Sequence, residues 1–119
     1  MVSGRSPQLR LRHILDNIDG ILAATAGMTA AQVMSSFVMM RAVERAVQII
    51  SEAAKELPHE MRDAEPDVPW QEIIRVGNIL RHEYYRIRED VLVDILETDL
   101  PQLRPAVVRL LEKAQAPKA

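Results

Sequence analysis

Apolar residues recur every three or four positions along almost the whole chain, and no stretch alternates in the way that marks a strand. Leu11, Ile14, Leu15, Ile18, Ile21 and Leu22 lay a stripe along a helix over residues 7 to 26, and Gly27 supplies its stop, since glycine readily takes the left-handed conformation that ends a helix. Thr29 can cap the next helix by accepting from its free amide groups. The stripe that follows, Val33, Phe37, Met40, Val43, Val47, Ile50, Ala54 and Leu57, predicts one helix of about 28 residues, about 42 Å long at 1.5 Å per residue. A helix of that length has to touch several others or a second subunit. The surplus apolar residues of "MSSFVMM" widen the stripe beyond one seam, and methionine in such a place is more often adaptable core or interface filler than part of a cofactor box.

The segment "PHEMRDAEPDVPW" holds three prolines and many charges and reads as a loop, with His59 a solvated loop residue. A third helix starts near Pro69 or Trp70, proline being suited to a first turn. After "RIRED" a fourth helix carries Val91, Leu92, Ile95 and Leu96, and a fifth begins near "DLPQL" and runs through Val107, Leu110 and Leu111 to a frayed "QAPKA" tail. Four or five amphipathic helices on short connections predict an all-α, up-and-down helical bundle. At 119 residues the chain suits one domain, residues 1 to 119, with roughly two-thirds of its surface buried on folding.

Composition narrows the chemistry. The absence of cysteine removes disulfides, thiolate metal sites and cysteine nucleophiles, and suits a reducing cytoplasm. No apolar run approaches the roughly 18 residues that span a bilayer, and "MVSGRSPQLRLRH" lacks the apolar segment of a signal peptide, so a soluble cytoplasmic protein with no membrane partner is expected. A net charge of −2 argues against a general nucleic-acid coat protein, but it is unevenly spread. From Arg75 to Arg88 four arginines face one glutamate, Glu83, which makes this stretch +3 and leaves −5 for the rest.

At 100° per residue, Trp70, Ile73, Gly77, Leu80 and Tyr84 share the side of the third helix that should meet the core. Arg75, Asn78 and His82 share the opposite side, with Tyr85 just beyond, and point at solvent, a groove or a partner subunit. A surface histidine beside arginines is most often only a solvated side chain, and arginines near a helix end also complement its negative dipole. The same groups nevertheless supply a specific chemistry. An imidazole exchanges a proton near neutral pH, a guanidinium stabilises a phosphate or a developing oxyanion, and an asparagine positions either. Together they are the parts of a metal-free ribonuclease in which the RNA 2'-hydroxyl attacks the neighbouring phosphate. "ELPH", Glu56 to His59, has a proline that spoils helical pairing for a metal site, and there is no phosphate-binding glycine loop.

The stretch "PWQEIIRVGNILRHEYYRIREDVLVDILETDLPQL" resembles the most characteristic region of the HepT-like HEPN toxins, in which a tryptophan-led helix carries an Arg-x(4-6)-His motif followed by a tyrosine. "MSSFVMMRAVERAVQIISEAAKELP" is similar to that family's long helix, and the resemblance covers about Leu9 to Leu111. It implies a dimeric helical bundle whose paired motif helices line a shared cleft. It further implies an endoribonuclease toxin that cuts cellular RNA without a metal or other cofactor. The partner implied is an antitoxin of the minimal nucleotidyltransferase (MNT) type, which in part of the family adds AMP to the tyrosine two places after the histidine.

Carried onto this chain, the resemblance makes His82 the motif histidine, Asn78 the motif asparagine and Tyr84 the modified tyrosine, and Tyr85, Arg86 and Arg88 beside them are the candidates for binding the RNA. Many members have the arginine five places before the histidine, where this chain has Gly77. Arg75, on the histidine's face with the longest spacing the motif allows, is the first choice in its place, and Arg81, about 100° round the helix, is the alternative. On an unbroken helix Tyr84 would lie about 160° from His82, so an accessible Tyr84 requires the helix to loosen after His82 or the cleft to wrap round it.

Overall fold

Ser6 accepts a hydrogen bond from the Leu9 amide at 3.0 Å and Pro7 opens the first turn, so the free amides at the start of α1 (Pro7–Ala24) are answered at once. The computed structural model describes residues 6–115. α1 ends in a turn at Gly27, whose φ of 81° lies in the left-handed region that favours glycine, as the sequence predicts. Thr29 then caps α2 (Ala30–Ser35) in a reciprocal box: its hydroxyl accepts from the Gln32 amide at 3.1 Å, and its own amide donates to the Gln32 side chain at 2.9 Å.

The long second helix expected from the stripe is broken. Ser36 takes an extended backbone, φ −97° and ψ 113°, and its hydroxyl accepts from the Met39 amide at 3.1 Å, starting a new helix, α3 (Phe37–Lys55). A serine oxygen that can take a backbone amide offers the chain an alternative to continuing the helix, and here the alternative wins. α3 is therefore about 28 Å long instead of about 42 Å. The break also removes Phe37 from the apolar stripe: it is 72% exposed, with Val38 beside it at 68%. Of the methionines in this stretch, Met40 is buried, and Met34 and Met39 are half-buried against the core.

The proline-rich connection contains one short helix, α4 (His59–Asp63), and His59 is exposed as expected. α5 (Trp70–Glu83) starts where the sequence places it. The buried Trp70 ring donates from Nε1 to the carbonyls of Arg62 and Glu65 at 3.0 and 3.1 Å, fastening that connection to the helix start. The two helices expected after "RIRED" run into each other: α6 (Glu89–Asp94) passes through a π turn at Ile95–Asp99 into α7 (Leu100–Gln115). In that turn the Leu100 amide reaches back five residues to the Ile95 carbonyl. Pro101 has no amide to give to the carbonyl of Glu97 and its ring crowds that carbonyl, so a wider turn just before it lets the chain stay helical.

The fold is all-α: among the described residues there is no strand. α3 packs against both α1 and α5, and α1 packs against α7. Leu11, Ile14, Ile18, Val43 and Val107 are wholly withdrawn from water at these contacts, each contributing about 1.5–3 kcal/mol. Two bidentate ion pairs tie distant parts at the surface. Arg104 of α7 donates to Asp19 of α1 at 2.6 and 3.2 Å, and Arg109 of α7 donates to Glu65 at 2.6 and 3.1 Å.

Candidate functional site

α5 has two faces because its apolar residues repeat with the helix. Trp70, Ile73, Ile74, Val76, Gly77 and Leu80 are buried, while Gln71, Arg75, Asn78 and His82 form an exposed row. The helix stops at Glu83, whose φ of −145° leaves the helical region, and a single 3-10 turn, Tyr84–Arg86, follows. This departs from the continuous helix that would have turned Tyr84 toward the core. Tyr84 is 69% exposed and Tyr85 74%, with their rings edge to face at 5.9 Å between centroids. His82 therefore sits on the last turn of α5 and the tyrosines on the 3-10 turn beyond it.

The local charge of +3 does not survive in three dimensions. Each of the four arginines stands beside a carboxylate, and three of those carboxylates lie outside residues 75 to 88. Arg75 grips Glu72 with Nε and Nη2 at 3.0 and 3.3 Å. Arg81 lies 3.7 Å from Glu52 of α3, Arg86 3.0 Å from Glu83, and Arg88 2.6 Å from Asp90. The hydrogen bonds from Arg75 hold the Glu72 carboxyl below the usual carboxylate range, and the same pair raises Arg75. Arg75 and Glu72 also border a cleft of about 220 Å³ floored by Val47, Ile50, Ile73 and Val76 and rimmed by Asp94 and Asp99. Burial, then the charges of Asp94 and Glu72, push the Asp99 carboxyl up.

These surroundings separate the two candidate arginines. Glu72 lies one turn before Arg75 on α5, so the Arg75 guanidinium is drawn toward the start of the helix and into an acidic setting. His82 is about 10 Å further along the axis. Arg81 is next to His82 in sequence, and its single contact with Glu52 is longer than a hydrogen bond. The side chains of Asn78 and His82 make no hydrogen bond or ion pair with any described residue.

Gly77, which stands where the motif arginine is common, is buried against α3. A Cβ built on it would lie 2.1 Å from Ser51 Cβ and 2.7 Å from Ser51 Oγ, far inside van der Waals contact. An arginine at that position would have to force α3 and α5 apart.

A family model described as ribonuclease HepT-like matches residues 14–110. The chain belongs to the HepT-like ribonuclease family. Among its relatives is a candidate RNase of Caldanaerobacter subterraneus subsp. tengcongensis, 30% identical over 109 residues that cover 92% of this chain and 97% of the relative. A candidate RNase of Methanocaldococcus jannaschii is 29% identical over 106 residues, 89% of this chain and 97% of its own. A ribonuclease HepT named as probable in Thermococcus cleftensis is 36% identical over 63 residues, 53% of this chain and 57% of the relative. No solved structure matches the chain significantly. Within this HepT-like chain, tertiary structure adds Ser51, Glu52 and Glu72 to the surroundings of the motif. Sequence reasoning passes over them because Ser51 and Glu52 lie on another helix, and Glu72 looks like any solvated glutamate of a first turn.

Proposed function

We propose that the protein is an endoribonuclease toxin that cuts RNA without a metal, with His82 as the proton-transfer group and Arg81 as the cation beside it. The observation that carries this reading is the placement of an unpartnered, exposed imidazole at the last turn of α5, inside the region matched by the HepT-like family. His82 takes the proton from an RNA 2'-hydroxyl as the 2'-oxygen attacks the adjacent phosphorus. The bond from phosphorus to the 5'-oxygen breaks, and the imidazolium returns a proton to that oxygen. The products are a 2',3'-cyclic phosphate and a free 5'-hydroxyl. Arg81 offsets charge on the phosphorane and Asn78 holds a phosphate oxygen, while Tyr84, Tyr85, Arg86 and Arg88 offer stacking faces and charge to the flanking strand.

The wider setting belongs to the same proposal. A second copy completes a shared cleft, and a nucleotidyltransferase antitoxin neutralises the toxin, with Tyr84, exposed on its 3-10 turn, as the acceptor of AMP. His82→Ala should lower RNA cleavage on the order of 10² to 10⁴-fold, and EDTA should leave the wild type unchanged. Equal cleavage or equal growth arrest by wild type and His82→Ala removes the assignment. Intact mass after co-expression with a neighbouring nucleotidyltransferase reads the partner and the modification together: AMP mapping to Tyr84 supports both.

The pairing of all four arginines with carboxylates favours a second reading, a member that binds its antitoxin or an RNA without cutting. RNA binding by the wild type with no fragments and no toxicity would select it.

A further inference from the structure

We propose that Ser51 and Gly77 form the joint that places the Asn78–His82 face of α5, and that Ser51 is thereby a positioning residue for His82. The functional half of this inference rests on the ribonuclease reading.

Two polar side chains are buried among the described residues, Thr25 and, more deeply, Ser51. Thr25 satisfies its hydroxyl within its own helix, on the Ile21 carbonyl at 2.8 Å. Ser51 does something different. Its Oγ lies 2.8 Å from the Val47 carbonyl, four residues back on α3, and 2.7 Å from the Ile73 carbonyl on α5. One hydroxyl proton serves two carbonyls across a helix contact from which water is excluded, so the donor has no competitor for that place. Ile73 is one helical turn before Gly77, and Gly77 is the residue whose missing side chain lets Ser51 come this close.

The contact is unforgiving. At 2.1 Å from a built Cβ, the obstacle is Ser51 Cβ itself, which cannot swing aside by a rotamer change. Any side chain at position 77 therefore has to separate the helices by more than about 1 Å to reach ordinary van der Waals distance. Past Gly77, Leu80 is the one further residue of α5 that is buried before the helix ends at Glu83. His82, about 7.5 Å along the axis from Gly77, takes its place from this joint and from Leu80. A catalytic group displaced by about 1 Å loses on the order of 10²-fold in rate.

The test is a reciprocal exchange in the full-length chain. Gly77→Ser alone introduces the clash. Gly77→Ser with Ser51→Gly moves the hydroxymethyl group from α3 to α5, where it can donate to the Ile73 carbonyl from its own helix. Cleavage of a single-stranded RNA is measured well below the unfolding midpoint, together with NMR of the His82 ring signals. Gly77→Ser should lower kcat by about 10- to 100-fold with KM changed less than about threefold, and should shift the His82 signals; the exchanged pair should recover most of both. A purely structural joint would lower the melting temperature and leave kcat and the ring signals alone, and that result overturns the proposal. Should Gly77→Ser fail to fold, Ser51→Ala removes the hydroxyl and keeps the space. Unmoved His82 signals and wild-type kcat in that variant overturn it equally. If the wild type cuts no RNA, the ribonuclease reading falls, while the ring signals still decide whether the joint sets His82.

Discussion

Arg75 and Arg81 carry the same guanidinium and differ in what holds it. Arg75 is bound at two points by Glu72 and faces the rim carboxylates of the acidic cleft, whereas Arg81 has one long contact with Glu52. Both pairs are exposed, so neither is costly to release, but Arg75 would give up two hydrogen bonds and lies about 10 Å along the axis from His82, whereas Arg81 gives up none and is next to it. Arg81→Ala should therefore lower kcat/KM on RNA by tenfold or more, and Arg75→Ala by less than about threefold. The opposite order in parallel cleavage assays would return the role to Arg75. The sequence put Arg75 first because it shares the histidine's face on a wheel. A wheel records direction around the axis and says nothing of Glu72 drawing the side chain along it.

At the scale of elements, the π turn at Ile95–Asp99 brings Asp99 toward Asp94 and the Glu72 of α5. Burial first, and then those two charges, raise the Asp99 carboxyl above its ordinary value. A carboxyl raised in the fold binds its proton more tightly there than in the unfolded chain. Its contribution is therefore most favourable at low pH and is lost as pH rises through the folded value. Asp99→Asn removes a charge the fold disfavours, and should raise the melting temperature at pH 7 by an amount worth under about 1 kcal/mol. The gain should fade as pH falls through about 4, the unfolded-state value, as the wild-type carboxyl takes up its proton in both states. Thermal melts of the two proteins at pH 7 and pH 3.5 check this, and an equal difference at both pH values contradicts it.

The elements also mark how far periodicity could be read. α1, the Thr29 cap and the start of α5 were legible because each is decided locally, by a stripe, a capping side chain or a proline. The Ser36 break was not, since the apolar stripe runs on through it and a serine at that position can serve the helix or cap a new one. The join of α6 to α7 was hidden by Pro101, which normally ends a helix.

Across the whole molecule, α7 is held at the surface by two bidentate arginines. Arg104 holds the Asp19 carboxyl below the usual range through their hydrogen bonds, and Arg109 does the same to Glu65, with Lys113 adding to it. A carboxyl lowered in the fold contributes stability that is present above its unfolded value and is lost as pH falls through the folded one. Acid should therefore weaken both of these ties to α7, with stability declining from about pH 5 downward. Glu65→Gln should cost under about 1 kcal/mol at pH 7 and make the decline shallower. Urea melts at pH 7 and pH 3.5 that give Glu65→Gln the same pH slope as wild type would rule this out.

The sequence by itself determined the helical class, the bundle's apolar faces, the family and the outward placement of Arg75, Asn78 and His82. The class, the faces and the outward placement follow from residue type and helical period, which act over a few neighbours, and the family from the resemblance of the motif stretch. Tertiary structure alone brought Glu52 beside Arg81, because that glutamate comes from another helix, whereas the carboxylates beside Arg75, Arg86 and Arg88 lie two or three residues away along the chain. It alone gave a reason for Gly77: the glycine is the room that α3 needs to bring Ser51 against α5, a distance between helices that no single helix encodes.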